Sequence, residues 1–517
     1  MLWVALYFPE LSLEVVNRAH LSQSGLIDAG LIDAAQRDGV LIHALPLVVT
    51  EGVESRPLLY ALNAAARAVG LRAGMTLASA RAIDSSLIVL PRQHEKELAS
   101  LRNIAAWLAQ FTPAVAIESE LDCAGVSLEI ASSLKLFGGV QKIVKRIRKG
   151  MKMLGYRALI GIAPNALAAQ LLARAAQHAP KIRMCEKPEH LRERLAAIPV
   201  VLFRWPEKTL TALQTLGLFC IKDVLLQPRA GLQTRFGKGL VNDLDRALGT
   251  AADPRDYFQL PDQFASSIEF LFEINSTDIL LHPITQLLTE MEGFLRARGA
   301  GVMDLRLSLK HGREHFTHLD FKARQSIRHS DQWLRLVRER LDAIVLEASV
   351  VLVSISASSL HVFSEENEHL LPAISHSGTK TIALLDRLAS RLGSSSVYRI
   401  AVRSDHRPEQ AWQMNDLSLH AAACETSRSM VTTCCAHPTR PTWLLREPRS
   451  LTTVNEHPQY QGELALLAGP ERIDTGWWDG KPVARDYFVA RSPHNEVCWI
   501  FRDYRQGKRW YLHGFFS

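Results

Sequence analysis

The chain opens on an apolar run, MLWVALYF, which Pro9 ends or places at a sheet edge, so it reads as a buried strand. Residues 13–84 are rich in Ala and Leu at helical spacing. Gly70 and Gly74 punctuate a turn there before a second helix that carries Met75 and Leu77 on its apolar face. Strand-like runs follow at Ser86–Pro91, Ala114–Glu118 and Gly125–Ile130, alternating with helices at His94–Phe111 and Val140–Met153. Tyr156–Ile162 is a further strand, and Pro164 with Asn165 announces a helix over Asn165–Ala176. Such alternation indicates an α/β or α+β sheet domain. Pro180–Asp256 turns helical, with glycines between helices in LQTLGL (Leu213–Leu218) and RFGKGL (Arg235–Leu240). From Glu269 to Ser358 the pattern is strand, helix (Pro283–Arg298), strands (Met303–Lys310, His315–Phe321), helix (Ser330–Leu346) and strand (Val350–Ser356). A polar stretch, 364–379, reads as a linker, followed by a short helix (Thr379–Leu392). Asp405–Ser517 alternates and is rich in Pro, Trp and Tyr, which suggests a small β-rich module. There is no internal repeat.

Composition narrows this picture only a little. At 517 residues the chain exceeds one core, and three to five domains are expected at ~100–200 residues each. Hydrophobic residues at 47% and charged residues at 22% are ordinary for a globular protein. No stretch reaches the ~18 uninterrupted apolar residues of a membrane span. The apolar N-terminus lacks a basic lead and carries Glu10 and Glu14, unlike a signal peptide. Seven cysteines without a CxxC pair fit reduced thiols in a cytoplasm. A net charge of +7 permits a polyanionic partner without establishing one.

Four segments, in order, resemble the Y-family (lesion-bypass) DNA polymerases. They are WVALYFPELSLEVV, LNAAARAVGLRAGM, GIAPNALAAQLLARAA and LQTLGLFCIKDVLLQPRAGLQTRFGKGL. The resemblance implies an α+β multidomain right hand. Residues 1–12 and 85–178 would be palm-like, 13–84 fingers-like, and 179–256 a helical thumb with helix-hairpin-helix-like turns. Residues 265–358 would be little-finger-like. The segment 364–379 is a linker, and 380–517 a C-terminal partner-binding region. Four further segments are DHRPEQAW, RPTWLLREP, GPERIDTGWWDGKPVARDYFVAR and KRWYLHGFFS. These resemble a polymerase-like, non-catalytic subunit of the bacterial mutasome, a damage-induced mutagenesis complex. The implied partners are DNA (a primer-template or a single-stranded/duplex junction), a sliding clamp, a RecA-like accessory protein and an error-prone C-family polymerase. No cofactor and no membrane are implied.

A nucleotidyl transferase holds two Mg²⁺ ions on carboxylates, because Mg²⁺ requires hard oxygen ligands. The family places two aspartates at i and i+2 of its first strand, so both point the same way. Those positions here are Ala5 and Tyr7, and the family's later Asp-Glu pair falls on Ala124 and Gly125. Glu129 takes the place of a structural acid, and Asp122 stands two residues before the expected site. The fingers tyrosine falls on Ala64, with Arg67 retained. The gate against ribonucleotides falls on Glu10, and two helix lysines fall on Ala166 and Gln170. The resemblance therefore implies a polymerase-like body with no catalytic residues and no metal. The alternative is an active polymerase that uses Asp122 and Glu129 in a rearranged site.

DNA contact is expected from Gly217, Gly237, Lys238 and Gly239, whose turns let backbone amides approach phosphates; the same turns also serve ordinary helix pairs. Arg306 and Lys310, with Arg313 and Lys322, lie on or beside strands that could follow a DNA backbone. The helix QKIVKRIRKGMK carries Lys142, Lys145, Arg146, Arg148, Lys149 and Lys152, either as a DNA contact or as a solvated face. Asn367, Glu368, His369, Leu370, Leu371 and Pro372 form a candidate clamp-binding peptide without the usual leading glutamine, or else a leucine pair covering the core. Trp477, Trp478, Trp510, Phe515 and Phe516 are partner-contact candidates; with Tyr487, Trp499 and Tyr511 they also suit a β core. Cys424, Cys434, Cys435 and His437 match no common zinc spacing.

Overall fold

A computed structural model describes residues 1–21, 46–52, 56–118, 124–177, 184–312, 315–346, 348–363, 384–389, 391–393, 396–416, 440–505 and 507–516. Two compact units are present, Met1–Arg391 and Leu392–Ser517.

The first unit starts with β1 (Trp3–Tyr7) and α1 (Leu11–Leu21). Next, β2 (Leu47–Glu51), β3 (Leu58–Leu62), α2 (Ala64–Ala68), α3 (Leu77–Ile83) and β4 (Ile88–Pro91) form a small body whose sheet runs β3-β2-β4. Asn63 caps α2, accepting from the Ala66 amide at 2.8 Å, and Thr76 caps α3. Gly70 and Gly74, at φ +92° and +83°, make the turn between them. Two sequence expectations need correction here. Residues 13–84 are not uniformly helical, because LVVTE and LLYAL pair as strands. β4 pairs in parallel with β2, so this body extends to Pro91 rather than ending at residue 84.

After α4 (His94–Leu108), the chain forms β5 (Val115–Ile117), β6 (Gly125–Glu129), α5 (Val140–Met153), β7 (Leu159–Ala163) and α6 (Ala166–Ala175). The sheet order is β5-β6-β1-β7, all antiparallel. β1 is central, and Trp3, Val4, Ala5 and Leu6 are all buried. Strand alternation sends Val4 and Leu6 into a core with α4 and α5, and Trp3 and Ala5 into another with α6. That second core continues into α7 (Leu191–Ala196), α8 (Glu207–Thr215), α9 (Ile221–Leu225), α10 (Arg229–Phe236) and α11 (Lys238–Leu248).

The next layer comprises β8 (Phe264–Ile274), α12 (Thr277–Arg298), β9 (Ala300–His311), β10 (His315–Ile327), α13 (Ser330–Leu341), β11 (Val350–Ala357) and β12 (Leu360–Val362). Its sheet runs β10-β9-β11-β8, with β12 on β9. α12 begins six residues before Pro283, which lies buried inside the helix although proline removes a backbone donor there. The layer is pressed onto α4. A Cβ on Gly293 of α12 would lie 2.1 Å from Trp107 of α4, and one on Gly150 of α5 would lie 2.0 Å from the far edge of the same indole. Asn103 donates to Ser266 at 3.0 Å, and Lys96 pairs with Glu269. Arg324 binds Asp386 and Arg387 binds Glu339. Contact between elements divides the chain after Arg391, the second unit beginning at Leu392.

The second unit contains a hairpin of β13 (Tyr398–Val402) and β14 (Trp412–Asp416). Its main strands are β15 (Trp443–Ser450), β18 (Ala465–Thr475), β19 (Val483–Arg491), β20 (Val497–Asp503) and β21 (Arg509–Phe515), with β16 (Thr452–Val454) and β17 (His457–Gln459) as a small pair. The five-stranded order is β15-β21-β20-β19-β18. Along β20, Cys498 and Ile500 enter one core while Trp499 and Phe501 enter the other, so both faces of the sheet are covered. The chain is thus an α+β multidomain protein with a β-rich C-terminal unit.

Candidate functional site

The face of β1 that would carry metal ligands is closed by side chains and backbone. Ala5 stands opposite Ser127 on β6 and Gly161 on β7, and Tyr7 opposite Gly125 and Leu159. α6 lies so close that a Cβ on Gly161 would fall 2.2 Å from the Ala169 carbonyl oxygen. Gln170 donates to the Ser127 hydroxyl at 3.1 Å, inside the protein. Arg174 forms an ion pair with Glu118 at 2.7 Å, with side chains 7% and 9% exposed, and also donates to the Leu202 carbonyl at 2.8 Å. A Cβ on Gly125 would lie 2.7 Å from the Glu118 carboxyl, so this position accepts glycine because the ion pair takes its space. Tyr7 accepts a hydrogen bond from Arg204 at 3.2 Å.

These residues do not fit a pair of Mg²⁺ ions, which need several oxygen ligands at ~2.0–2.1 Å in octahedral geometry. Glu118 is committed to Arg174. The Glu129 carboxylate accepts the Leu2 and Ala131 amides at 3.2 and 3.1 Å, a structural duty at the strand end. Asp122 lies outside the described residues, as does the rest of 119–123. Among the described residues no group of three His, Cys, Asp or Glu converges to hold a metal.

The surroundings of a would-be triphosphate are likewise occupied. Arg67 pairs with Glu10 at 3.2 Å, and Arg157 approaches the same carboxylate at 3.6 Å. Ala64 opens α2, and Ala166 and Gln170 are buried. At the start of α6, Asn165 accepts from Ala168 at 2.8 Å and the Leu167 amide donates to Asp253 at 2.9 Å. A helix start that would favour an anion is therefore already supplied with a carboxylate.

The helical segment is different, because its turns are open. Gly217 (φ +77°) and Gly237 (φ +82°) end helices, and a Cβ on either, or on Gly239, would meet nothing within 4 Å. Lys238 begins α11 and is exposed, so its amide-rich turn is accessible to an anion. On β9, Arg306 is bound by Asp320 of β10 at 2.6 Å and Lys310 sits 5.8 Å over Phe316. Asp304 stands opposite Lys322. This sheet face is charge-matched rather than uniformly basic; Arg313 lies outside the described residues.

In the second unit Trp477 and Trp478 project from the turn after β18, 76% and 58% exposed, with rings 5.2 Å apart. Their turn is clasped by Arg407, a buried guanidinium that forks between Asp405 at 2.8 Å and Asp479 at 2.5 Å and also reaches the Lys481 carbonyl. Arg407 holds the Asp405 carboxyl down at about 2. Phe515 and Phe516 line an open cleft of about 540 Å³ with Tyr460, Asn495, Glu496 and Val497. Trp510 departs from the expectation of a partner contact: it is 7% exposed and packs in the core with Ile500 and Leu512. The clamp-peptide residues 367–372 and the group Cys424, Cys434, Cys435 and His437 lie outside the described residues.

His513 yields a pH prediction. It is fully buried, bonded to the Tyr487 hydroxyl at 2.9 Å, and its Nε2 lies 3.9 Å from Glu409, which is itself paired with Arg485. Burial pushes the imidazole down to about 4; Glu409 opposes this and Arg485 reinforces it. The folded ring is neutral, so the unfolded chain takes the proton first as pH falls below ~6.5. Stability should drop between pH ~6.5 and ~4, by on the order of 3 kcal/mol in total. Urea unfolding of the full chain should show this acid slope, and His513→Gln should flatten it. An unchanged slope in the variant would remove His513 as its source.

The ion pair Glu118–Arg174, the contact Arg204–Tyr7 and the Arg407 clasp were not anticipated from sequence. The one available signal was a lone arginine in ALAAQLLARA, a charge on an otherwise apolar helix that must find a partner or reach solvent.

Residues 27–174 match the IMS (impB/mucB/samB) family. The chain is 27% identical over 482 residues to Protein ImuB of Caulobacter vibrioides, covering 87% of this chain and 100% of that protein. It is 26% identical over 206 residues to DNA polymerase IV of Aeromonas hydrophila, covering 39% of this chain and 57% of that one. Among solved structures, DinB from Sulfolobus solfataricus aligns at 15% identity and a TM-score of 0.36, over 70% of this chain and all of that one. An insertion ternary complex of Dbh DNA polymerase aligns at 14% and 0.37, with the same coverage. The chain is thus similar to ImuB along most of its length, with an impB/mucB/samB-family match in its N-terminal part.

Proposed function

We propose that this protein is a non-catalytic, DNA-binding scaffold in damage-induced translesion synthesis and mutagenesis. The observation that carries the reading is the filled metal face. Ala5 and Tyr7 replace carboxylates, and Gln170–Ser127 and Arg174–Glu118 occupy the space above them. The open glycine turns around Gly217 and Gly237–Gly239, with Lys238, supply sequence-independent phosphate contact. The likeness to ImuB supports the wider role: a hub in the cytoplasm that links a sliding clamp, a RecA-like accessory protein and an error-prone C-family polymerase. Residues 367–372 are the proposed clamp peptide, and Trp477, Trp478, Phe515 and Phe516 the proposed partner contacts. No described helix is long and apolar enough to cross a membrane.

The purified chain should extend no primer with Mg²⁺ or Mn²⁺, yet bind the same primer-template with affinity that falls steeply as salt rises. Lys238→Glu should weaken that binding severalfold for all sequences alike. Extension that disappears in Asp122→Asn would overturn the reading and make the protein an enzyme.

A further inference from the structure

The sheet face opposite the filled site carries a helix whose outer side is basic and meets no carboxylate among the described residues. On α5, Ile143, Val144, Ile147 and Met151 are buried beneath the sheet, on the side of Val4 and Leu6. Lys142, Lys145, Arg146, Arg148, Lys149 and Lys152 are all exposed. At ~100° per residue they cover an arc of roughly 160°. Among the described residues none of the six pairs with a carboxylate. The sequence has no Asp or Glu from Ile130 to Cys185.

An ordinary solvated helix face interleaves acids with bases, gaining from i,i+3 and i,i+4 pairs. Here the pairs 142/145, 142/146, 145/148, 145/149, 148/152 and 149/152 are all like-charged, which weakens the helix. Lys142 also sits in the first turn, against the helix dipole. A bound polyanion relieves every one of these repulsions. The row 142, 145/146, 149, 152 advances ~4.5–6 Å per step over ~15 Å, a spacing suited to successive phosphates. No exposed aromatic stands among the cations to stack a base; Phe137 is half-buried with Arg146 5.4 Å above its ring.

We propose that this face of α5 is a second DNA-binding surface, which takes the phosphate backbone of duplex DNA without regard to sequence. It lies on the far side of the sheet from α6, in a different core from the helices that carry the Gly217 and Gly237–Gly239 turns.

The test uses the full chain and a fluorescein-labelled 30-base-pair blunt duplex, read by anisotropy across a salt series. Lys145→Glu/Arg148→Glu/Lys149→Glu/Lys152→Glu should lose at least ~10-fold in affinity, with a log–log salt slope shallower by about 3–4. Glutamine at the same four positions should show the same shallower slope, which separates lost charge from a damaged helix. Both effects should persist in a Lys238→Glu background. If the wild-type protein binds the duplex and the four-site variant binds it equally with the same slope, this inference falls and the scaffold reading stands. If the wild-type protein binds no DNA, both fall. If the variant loses only its binding to phosphatidylserine vesicles, the surface recognises lipid and the DNA assignment is overturned.

Discussion

Arg174→Ala should destabilise the protein by about 3–5 kcal/mol, because removing one member of a buried ion pair strands the other charge. Glu118 would keep a carboxylate only 9% exposed, and the Leu202 carbonyl would lose its donor. The effect should appear as a lower urea midpoint with an unchanged m-value. Replacing both partners, as Glu118→Leu/Arg174→Met, should recover most of the loss, since an apolar pair of similar volume carries no desolvation penalty. Neither variant should extend a primer, because at most one freed carboxylate, that of Glu118, does not make up the oxygen ligands two Mg²⁺ ions need. A loss below ~1 kcal/mol for Arg174→Ala would mean that the pair is solvated and does not seal the face.

The second large effect is expected where the two α+β layers of the first unit meet. Trp107 is 6% exposed and lies between Gly150 and Gly293. Trp107→Ala should cost about 3–5 kcal/mol through lost burial and the cavity left behind. Gly293→Ala attacks the same seam from the other side. Its methyl group would stand 2.1 Å from the indole, which cannot retreat because α5 closes the opposite edge. Overpacking of this kind costs about 1–3 kcal/mol. Hydrogen exchange should show faster opening of α4 and α12 in Gly293→Ala than in the wild-type protein. Wild-type exchange and an unshifted urea midpoint would show that the helices separate at no cost and that the seam is loose.

Together these features tie the layers of the first unit to one another. The side chains that close the metal face also tie β5, α6 and the helical segment to one another, through Arg174 reaching both Glu118 and Leu202. Opposite the sealed face, the lysines and arginines of α5 are exposed and pair with no carboxylate among the described residues. In the second unit Arg407 joins Asp405 to Asp479, beside the turn from which Trp477 and Trp478 project.

The sequence by itself determined the elements whose signals are local. The helix over Val140–Met153 has the same limits in the structure, because its apolar positions recur at helical spacing over fourteen residues. Asn165 marks the start of α6 through a side-chain cap that depends only on the next three residues. The residues at positions 5, 7, 124 and 125 (Ala, Tyr, Ala and Gly) are likewise a matter of residue identity. Tertiary structure decided what local spacing does not encode. Leu47–Glu51 and Leu58–Leu62 become strands because they pair with each other and with Ile88–Pro91, and sheet propensity is set by such neighbours. What fills the metal face depends on Glu118 and Arg174, 56 residues apart, meeting across a sheet and a helix. Trp510 is core and Trp477 is surface because strand register turns one inward while the other sits beyond the strand end. Contacts of that range follow from how whole elements pack, and no window along the chain contains them.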